Sequence, residues 1–244
     1  RRSVEETYNE LLRTGRTRHL VPLLRVLHGA SWLLHRPMVR ALARQLERQR
    51  PAAVLSVHPN FNALLRDATR RALPGVPFLV LMTDYADFPP HFWIEPGVDR
   101  LIVGSPRARD QALEQGLPAE RVSLSSGMVV NPRFHRTDLA RARAALRAEL
   151  ALPEPAFVVL LLFGGKGAAE MAPLAEALLR ADPDWHVLAI CGKNPPLQQQ
   201  LEARAATAPR LRVTGFTDRV AELMAAADLL LAKPGPGSLA EAFS

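Results

Sequence analysis

The sequence predicts an α/β protein built from two Rossmann-type domains with parallel sheets. Eight short, nearly all-apolar runs recur along the chain, at 52–58, 77–83, 100–105, 121–127, 157–165, 186–192, 211–216 and 228–235. Stretches with helical spacing separate most of them, among them 106–116, 168–181, 196–207 and 218–227. The runs are continuously apolar rather than alternating, which marks strands buried on both faces. An Arg-rich helical stretch at 138–150 and the sequence LPEPA interrupt this rhythm. That places a first domain at 1–134, a joining region at 135–156 and a second domain at 157–244.

Before the first strand, residues 4–13 and 19–50 read as helices, because apolar residues recur at intervals of three and four. Arg25, His28, His35 and Arg36 break the apolar run, so it is no bilayer span. Pro37 predicts a break between two helices. Residues 1–50 hold eleven Arg against four Glu, an excess equal to the whole net charge of +7. A basic amphipathic segment carrying Trp32 suits an anionic membrane surface. It equally suits a helix lying on a sheet with Arg on its wet face, and the two readings are compatible. The basic excess lacks interleaved aromatics, which argues against nucleic acid. Cys191 is the sole cysteine, which excludes an intrachain disulfide and fits a small buried residue at a strand end. No signal-peptide pattern is visible.

In parallel α/β sheets, ligands lie beyond the carboxyl ends of the strands. The four runs of the second domain end in FGGKG (Gly164, Gly165), CGKN (Gly192, Lys193, Asn194), GFTDR (Gly215, Phe216) and KPGPGS (Lys233, Gly235, Pro236, Gly237, Ser238). Glycine lets backbone approach an anion, and a helix N-terminus offers free N–H groups to phosphate. GPGSLAE therefore reads as a phosphate loop, with Glu241 placed to accept from a ribose hydroxyl. The competing reading makes Ser238 an N-cap and Glu241 its capping-box partner. In the first domain, His58 and Asn60 follow the first run, Thr83, Asp84, Asp87, His91 and Trp93 the second, and Gly127, Asn131 and Phe134 the fourth. His58 and His91 are acid–base candidates, with a structural role also open for each. Asp84 caps the next element or serves a site. Neither metal-ligand spacing, nor a Walker loop, nor a G-x-S-x-G elbow is present.

Taken in order, VHPNF, TDY…HFW…VDRLIVGS, GMVVNPRF, LLFGGKG, ICGKN and GFTDRVAELMAAADLLLAKPGPGSLAEA resemble one family. It is the group of monogalactosyldiacylglycerol synthases and processive diacylglycerol glucosyltransferases, with a more distant similarity to the peptidoglycan-precursor GlcNAc transferase. The resemblance runs from about residue 50 to the end and is most specific over 211–242. It implies the GT-B fold, with the acceptor bound mainly by the first domain and a UDP-sugar mainly by the second. It implies that Gly235, Pro236, Gly237 and Ser238 cradle the diphosphate, that Glu241 binds the ribose, that Gly215 and Phe216 lie beside the uracil, and that Gly164 and Gly165 face the phosphates. His58, Asn60 and Trp93 fall on the acceptor side. Asp84 and His91 are candidate catalytic residues, although the resemblance puts the main base, in a Gly-rich loop, before residue 1. Both domains are expected to continue beyond the sequence, and this stretch alone to be inactive.

These implications define an inverting hexosyltransferase. It is expected to move a sugar from a UDP-sugar to a lipid hydroxyl, diacylglycerol first, with no cofactor and no metal. Residues 1–50 are expected to hold it to anionic lipid, peripheral on the cytoplasmic face of the cell membrane. Two rivals stand beside this reading: a UDP-GlcNAc 2-epimerase-like enzyme, and a degenerate, non-catalytic nucleotide-sugar-binding protein. Lys166 departs from the family's small or acidic residue; it reads as solvated, with aid to the leaving diphosphate as the other reading.

Overall fold

The computed structural model describes residues 20–89, 91–135, 139–153 and 155–244, without the side chains of 20–33 and 139–140. The expected helix 4–13 and the side chain of Trp32 fall outside the described residues. All eight expected strands are present. Residues 22–129 form one compact unit, and residues 130–244 make up the body of the other.

In the first unit, β1 (Val54–Ser56), β2 (Phe78–Leu81), β3 (Arg100–Val103) and β4 (Val122–Leu124) form a parallel sheet in that order. Helix α1 (Leu20–Gln49) precedes the sheet, α2 (Asn62–Ala72) follows β1, and α3 (Pro106–Glu114) follows β3. Val39, Ala43 and Leu46 of α1 share one helical face and join the core with Val54, Phe78, Val80, Leu101 and Val103. Arg36, Arg40, Arg44 and Arg48 repeat at four-residue spacing on exposed positions of α1. Among the described residues, none of these four guanidinium groups is ion-paired. Pro37 does not break the helix as expected: α1 is continuous through it. Pro37 lies at an exposed position. Water therefore serves the carbonyl that the missing N–H leaves free, and the buried face beyond holds the helix together.

The second unit begins with α4 (Leu139–Glu149), within the stretch expected to join the domains. It continues with β5 (Phe157–Leu162), α5 (Met171–Ala181), β6 (Trp185–Ile190), α6 (Pro195–Ala205), β7 (Leu211–Thr214), α7 (Val220–Ala226), β8 (Leu229–Ala232) and α8 (Pro236–Ala242). The strands are parallel in the order β7-β6-β5-β8. Their side chains divide by alternation. Val158, Leu160, Leu162, Leu188 and Ile190 pack with Leu146, Leu223 and Ala226. Leu161, Val187 and Ala189 pack with Met171, Ala175, Leu197 and Leu201. This two-sided burial explains the continuous apolar runs. Cys191 is fully buried, and burial, with Glu202 nearby, pushes its thiol up to about 11.

Helix α4 is bound to the end of α7 by two arginines one turn apart. Arg143 donates to the carbonyls of Ala225 (2.8 Å) and Ala227 (2.9 Å), and Arg147 to that of Ala226 (3.0 Å). Both also reach Asp228, at 2.5 and 2.7 Å. Cations thus meet the carbonyls left open where α7 ends. His186 lies buried on β6 with no partner for Nδ1. Burial lowers its imidazole pKa, and Arg212, Arg210 and Arg147 add to the effect.

Candidate functional site

In the second sheet the strand order runs one way from β5 through β6 to β7 and then reverses to β8. A crevice opens at such a reversal, outside the carboxyl ends of the two central strands. The loops after β5 and β8 are FGGKG and KPGPGS, so the two glycine-richest loops flank the switch point. The first sheet, with order β1-β2-β3-β4, contains no reversal among the described residues.

The rim is tied together by short contacts. The Lys193 amide donates to the Gly165 carbonyl at 2.8 Å, joining the loops after β5 and β6. Gly192 has φ +60°, and a Cβ there would stand 2.4 Å from the Gly165 oxygen. Asn194 uses both ends of its amide: Nδ2 donates to the Lys166 carbonyl (3.1 Å), and Oδ1 caps α6 by accepting from Leu197 (3.2 Å). It organises the loop rather than standing free for a ligand. The Lys193 ammonium sits 4.7 Å from the centre of the Phe216 ring, which is 65% exposed after β7, next to Gly215. Lys233 lies 6.0 Å from the ring of Phe163. The structure thus brings Gly164, Gly165, Gly192, Lys193, Asn194, Phe216 and Lys233 to one edge.

A further signal was present in the sequence. The chain has only three lysines, Lys166, Lys193 and Lys233, amid abundant Arg. All three lie just beyond strand ends of this one sheet, after β5, β6 and β8. The flexible ammonium is a point charge suited to phosphate oxygens. Their shared place puts Lys166 on the same cationic rim.

Helix α8 starts three residues earlier than a Ser238 cap requires. Gly235 is the N-cap, Pro236 the first helical residue, and no side chain caps the end. The capping-box reading of Ser238 and Glu241 therefore fails. The Gly235 amide is spent on Lys233 and that of Leu239 on Gly235. The amides of Gly237 and Ser238 remain, because the nitrogen of Pro236 carries no hydrogen. The Glu241 carboxyl is pushed up by burial, and Arg133, nearby, pulls it the other way. Asn131 holds Arg133 in place, accepting from its amide at 3.1 Å, and Arg133 donates to the Asp218 carbonyl at 3.0 Å.

In the first unit the predicted residues gather at the ends of β1 and β2. His58 and Asn60 are exposed, and the His58 ring accepts weakly from the Asn60 amide at 3.4 Å. His91 has φ +61°, uncommon for a side-chain-bearing residue, and its Nδ1 lies 3.7 Å from the buried Asp87. Trp93, expected to face the acceptor, is only 3% exposed. Its indole N–H donates to Asp84 at 2.5 Å. Asp84 and Trp93 are therefore one pair, and only the carboxylate is open to a ligand.

Residues 3–130 match the profile of the monogalactosyldiacylglycerol (MGDG) synthase family, and residues 158–244 that of the glycosyltransferase family 28 C-terminal domain. The chloroplastic monogalactosyldiacylglycerol synthase of Spinacia oleracea is 31% identical over 232 residues, covering 89% of this chain and 43% of the relative. Monogalactosyldiacylglycerol synthase 1 of Arabidopsis thaliana is 30% identical over 228 residues, covering 89% and 42%. The chain thus spans less than half the length of these relatives. Among solved structures, Anabaena Alr3699/HepE in complex with UDP and glucose aligns with TM-score 0.54 at 19% identity, covering 84% of this chain and 60% of that one. UDP-GlcNAc 2-epimerase from Neisseria meningitidis bound to UDP-GlcNAc aligns with TM-score 0.55 at 12% identity, covering 83% and 57%. These likenesses show the fold, the GT-B type of α/β architecture with two parallel sheets. The matched profile and the two synthases settle the kinship: the chain belongs to the monogalactosyldiacylglycerol synthase family.

Proposed function

We propose that the protein transfers a hexose, galactose first among candidates, from a UDP-sugar to the hydroxyl of diacylglycerol with inversion. The observation that carries this is the cationic, glycine-lined rim at the β5/β8 switch point, in a chain of the synthase family. Gly164, Gly165, Gly237 and Ser238 offer backbone to the diphosphate, and Lys166, Lys193 and Lys233 supply positive charge as it leaves. Gly215 and Phe216 flank the base, and Glu241 takes the ribose. On the acceptor side stand Asp84, His91, His58 and Asn60. In the reaction the acceptor oxygen forms the bond to the anomeric carbon, the bond to the diphosphate breaks, and the hydroxyl proton passes to a base.

The row Arg36, Arg40, Arg44 and Arg48 serves as the membrane-facing charge, worth about 1 kcal/mol per basic residue close to an anionic surface. No helix among the described residues is long and apolar enough to cross a membrane. A peripheral position on a lipid surface follows from this reading.

The test uses the full-length gene product with UDP-galactose, UDP-glucose or UDP-GlcNAc and liposomes of diacylglycerol and anionic lipid, read by mass spectrometry. Galactosylated diacylglycerol is expected. Epimerised UDP-GlcNAc with no glycolipid would favour the epimerase reading instead. Absence of both product and UDP binding would sink the proposal.

A further inference from the structure

Trp93 is held from three sides. Its amide donates to Asp87 Oδ1 at 3.2 Å, its carbonyl accepts from Asn62 Nδ2 at 3.1 Å, and its indole N–H donates to Asp84 Oδ2 at 2.5 Å. Both clamping residues are 1% exposed. Asn62 is fixed in turn by the Ser56 hydroxyl, which donates to its Oδ1 at 2.6 Å. The backbone of Asp87 is gripped by Gln111, which accepts from its amide (2.9 Å) and donates to its carbonyl (3.2 Å).

Helix α2 extends the clamp. Asn62, Arg66 and Arg70 stand one turn apart on one face. Asn62 holds the carbonyls of Phe92 and Trp93, Arg66 holds Glu95 and the Pro96 carbonyl, and Arg70 holds the Gly97 carbonyl and Asp99. Every turn of α2 thus seats the next part of the segment 92–99. The tryptophan itself is buried, and its indole is bonded to the carboxylate of Asp84, half-buried just past the end of β2, at the carboxyl edge of the sheet where ligands of such sheets lie. One oxygen takes the indole N–H. The other, Oδ1, has no partner among the described residues.

We propose that Asp84 holds the acceptor hydroxyl through Oδ1 and that Trp93 is its positioning residue, acting through the indole N–H. This rests on the acceptor-side reading above. The carboxylate accepts a hydrogen bond from the hydroxyl and aims the oxygen, and no covalent step passes through it. A charge-assisted bond from the indole keeps Asp84 in one rotamer, so a hydroxyl meets a carboxylate already in place.

The test couples spectroscopy to a double-mutant cycle on the full-length gene product. With the indole nitrogens of tryptophan labelled, Trp93→Phe removes one N–H resonance and so identifies it. Asp84→Asn, which preserves shape, is expected to move that resonance in the otherwise unchanged protein. In kinetics with diacylglycerol, Trp93→Phe is expected to lower kcat over acceptor KM about tenfold, the scale of one hydrogen bond to a charged group. The donor KM stays unchanged. In the Asp84→Asn background, Trp93→Phe adds little, because its only route to the acceptor is gone. A resonance indifferent to Asp84→Asn, multiplicative losses in the double variant, or a donor KM that rises with Trp93→Phe would each overturn the assignment. Failure of the transferase reading shows separately, as absence of glycolipid with the indole coupling intact.

Discussion

Gly192→Ala is expected to abolish UDP binding while most of the second sheet survives. The residue has φ +60°, which costs a residue with a side chain roughly 1–2 kcal/mol. The added Cβ would lie 2.4 Å from the oxygen and 2.6 Å from the carbon of the Gly165 carbonyl. These are backbone atoms and cannot swing aside, so the loops after β5 and β6 must part. Parting them breaks the 2.8 Å bond from Lys193 to Gly165, worth another ~1 kcal/mol, and displaces both Lys193 and the glycine floor of the rim. Gly116→Ala, away from the rim, is the control. Its φ is also positive, at +85°, but nothing lies within 4 Å of the added Cβ. It should cost strain alone and leave UDP binding unchanged. Calorimetry with UDP and urea unfolding of both variants separate the two effects. Equal UDP binding by Gly192→Ala and the parent would show that the loops are not the nucleotide's support.

The largest loss of stability is expected at Arg147. Its side chain is 6% exposed and donates to the carbonyls of Ala226 and Ala156 and to Asp228. Arg147→Ala leaves these acceptors wanting in a dry place, at a cost of about 3 kcal/mol or more. Arg147→Lys restores charge without the fork and recovers part of it. Burial raises the Asp228 carboxyl, but the Val158 amide, Arg143 and Arg147 outweigh it and hold the pKa below its ordinary 3.8. A depressed carboxyl contributes stability that is present above the ordinary value and lost as pH falls through the lower, folded one. The parent should therefore lose this contribution below about pH 3.8, and Arg147→Ala should lose less over the same window. Urea midpoints across pH measure both. A variant within ~0.5 kcal/mol of the parent at neutral pH would contradict the account.

The strands were legible because burial on both faces leaves a continuous apolar run that little else imitates. Leu160, Leu161 and Leu162 show it: neighbours in sequence enter opposite cores, and both cores demand apolar side chains. The glycine loops were legible for a related reason, since strand ends are where such residues have consequences. What escaped depended on which face a residue meets. Pro37 breaks a helix where its neighbours need the lost hydrogen bond, but at an exposed position water supplies it. Ser238 looked like a cap because it precedes Glu241 by three, yet Gly235-Pro236 already starts the helix. Trp93 reads as a ligand contact in a motif, and only the fold shows that it is buried with its indole bonded to Asp84. Lys166 stayed open between a solvated and a ligand-facing reading, because the sheet edge it shares with two residues distant in sequence shows only in the fold.

The UDP diphosphate is expected to sit at the start of α8, beside the β5/β8 switch point. Gly237→Asp tests it without disturbing the fold. Gly237 is exposed, and nothing lies within 4 Å of a Cβ added there. A carboxylate in the first turn favours the helix, yet it meets the diphosphate as a like charge costing several kcal/mol. Titration of the full-length gene product with UDP should show saturable binding that weakens about 100-fold or more in Gly237→Asp, with thermal stability held or raised. Equal UDP affinity in the parent and the variant would contradict the placement.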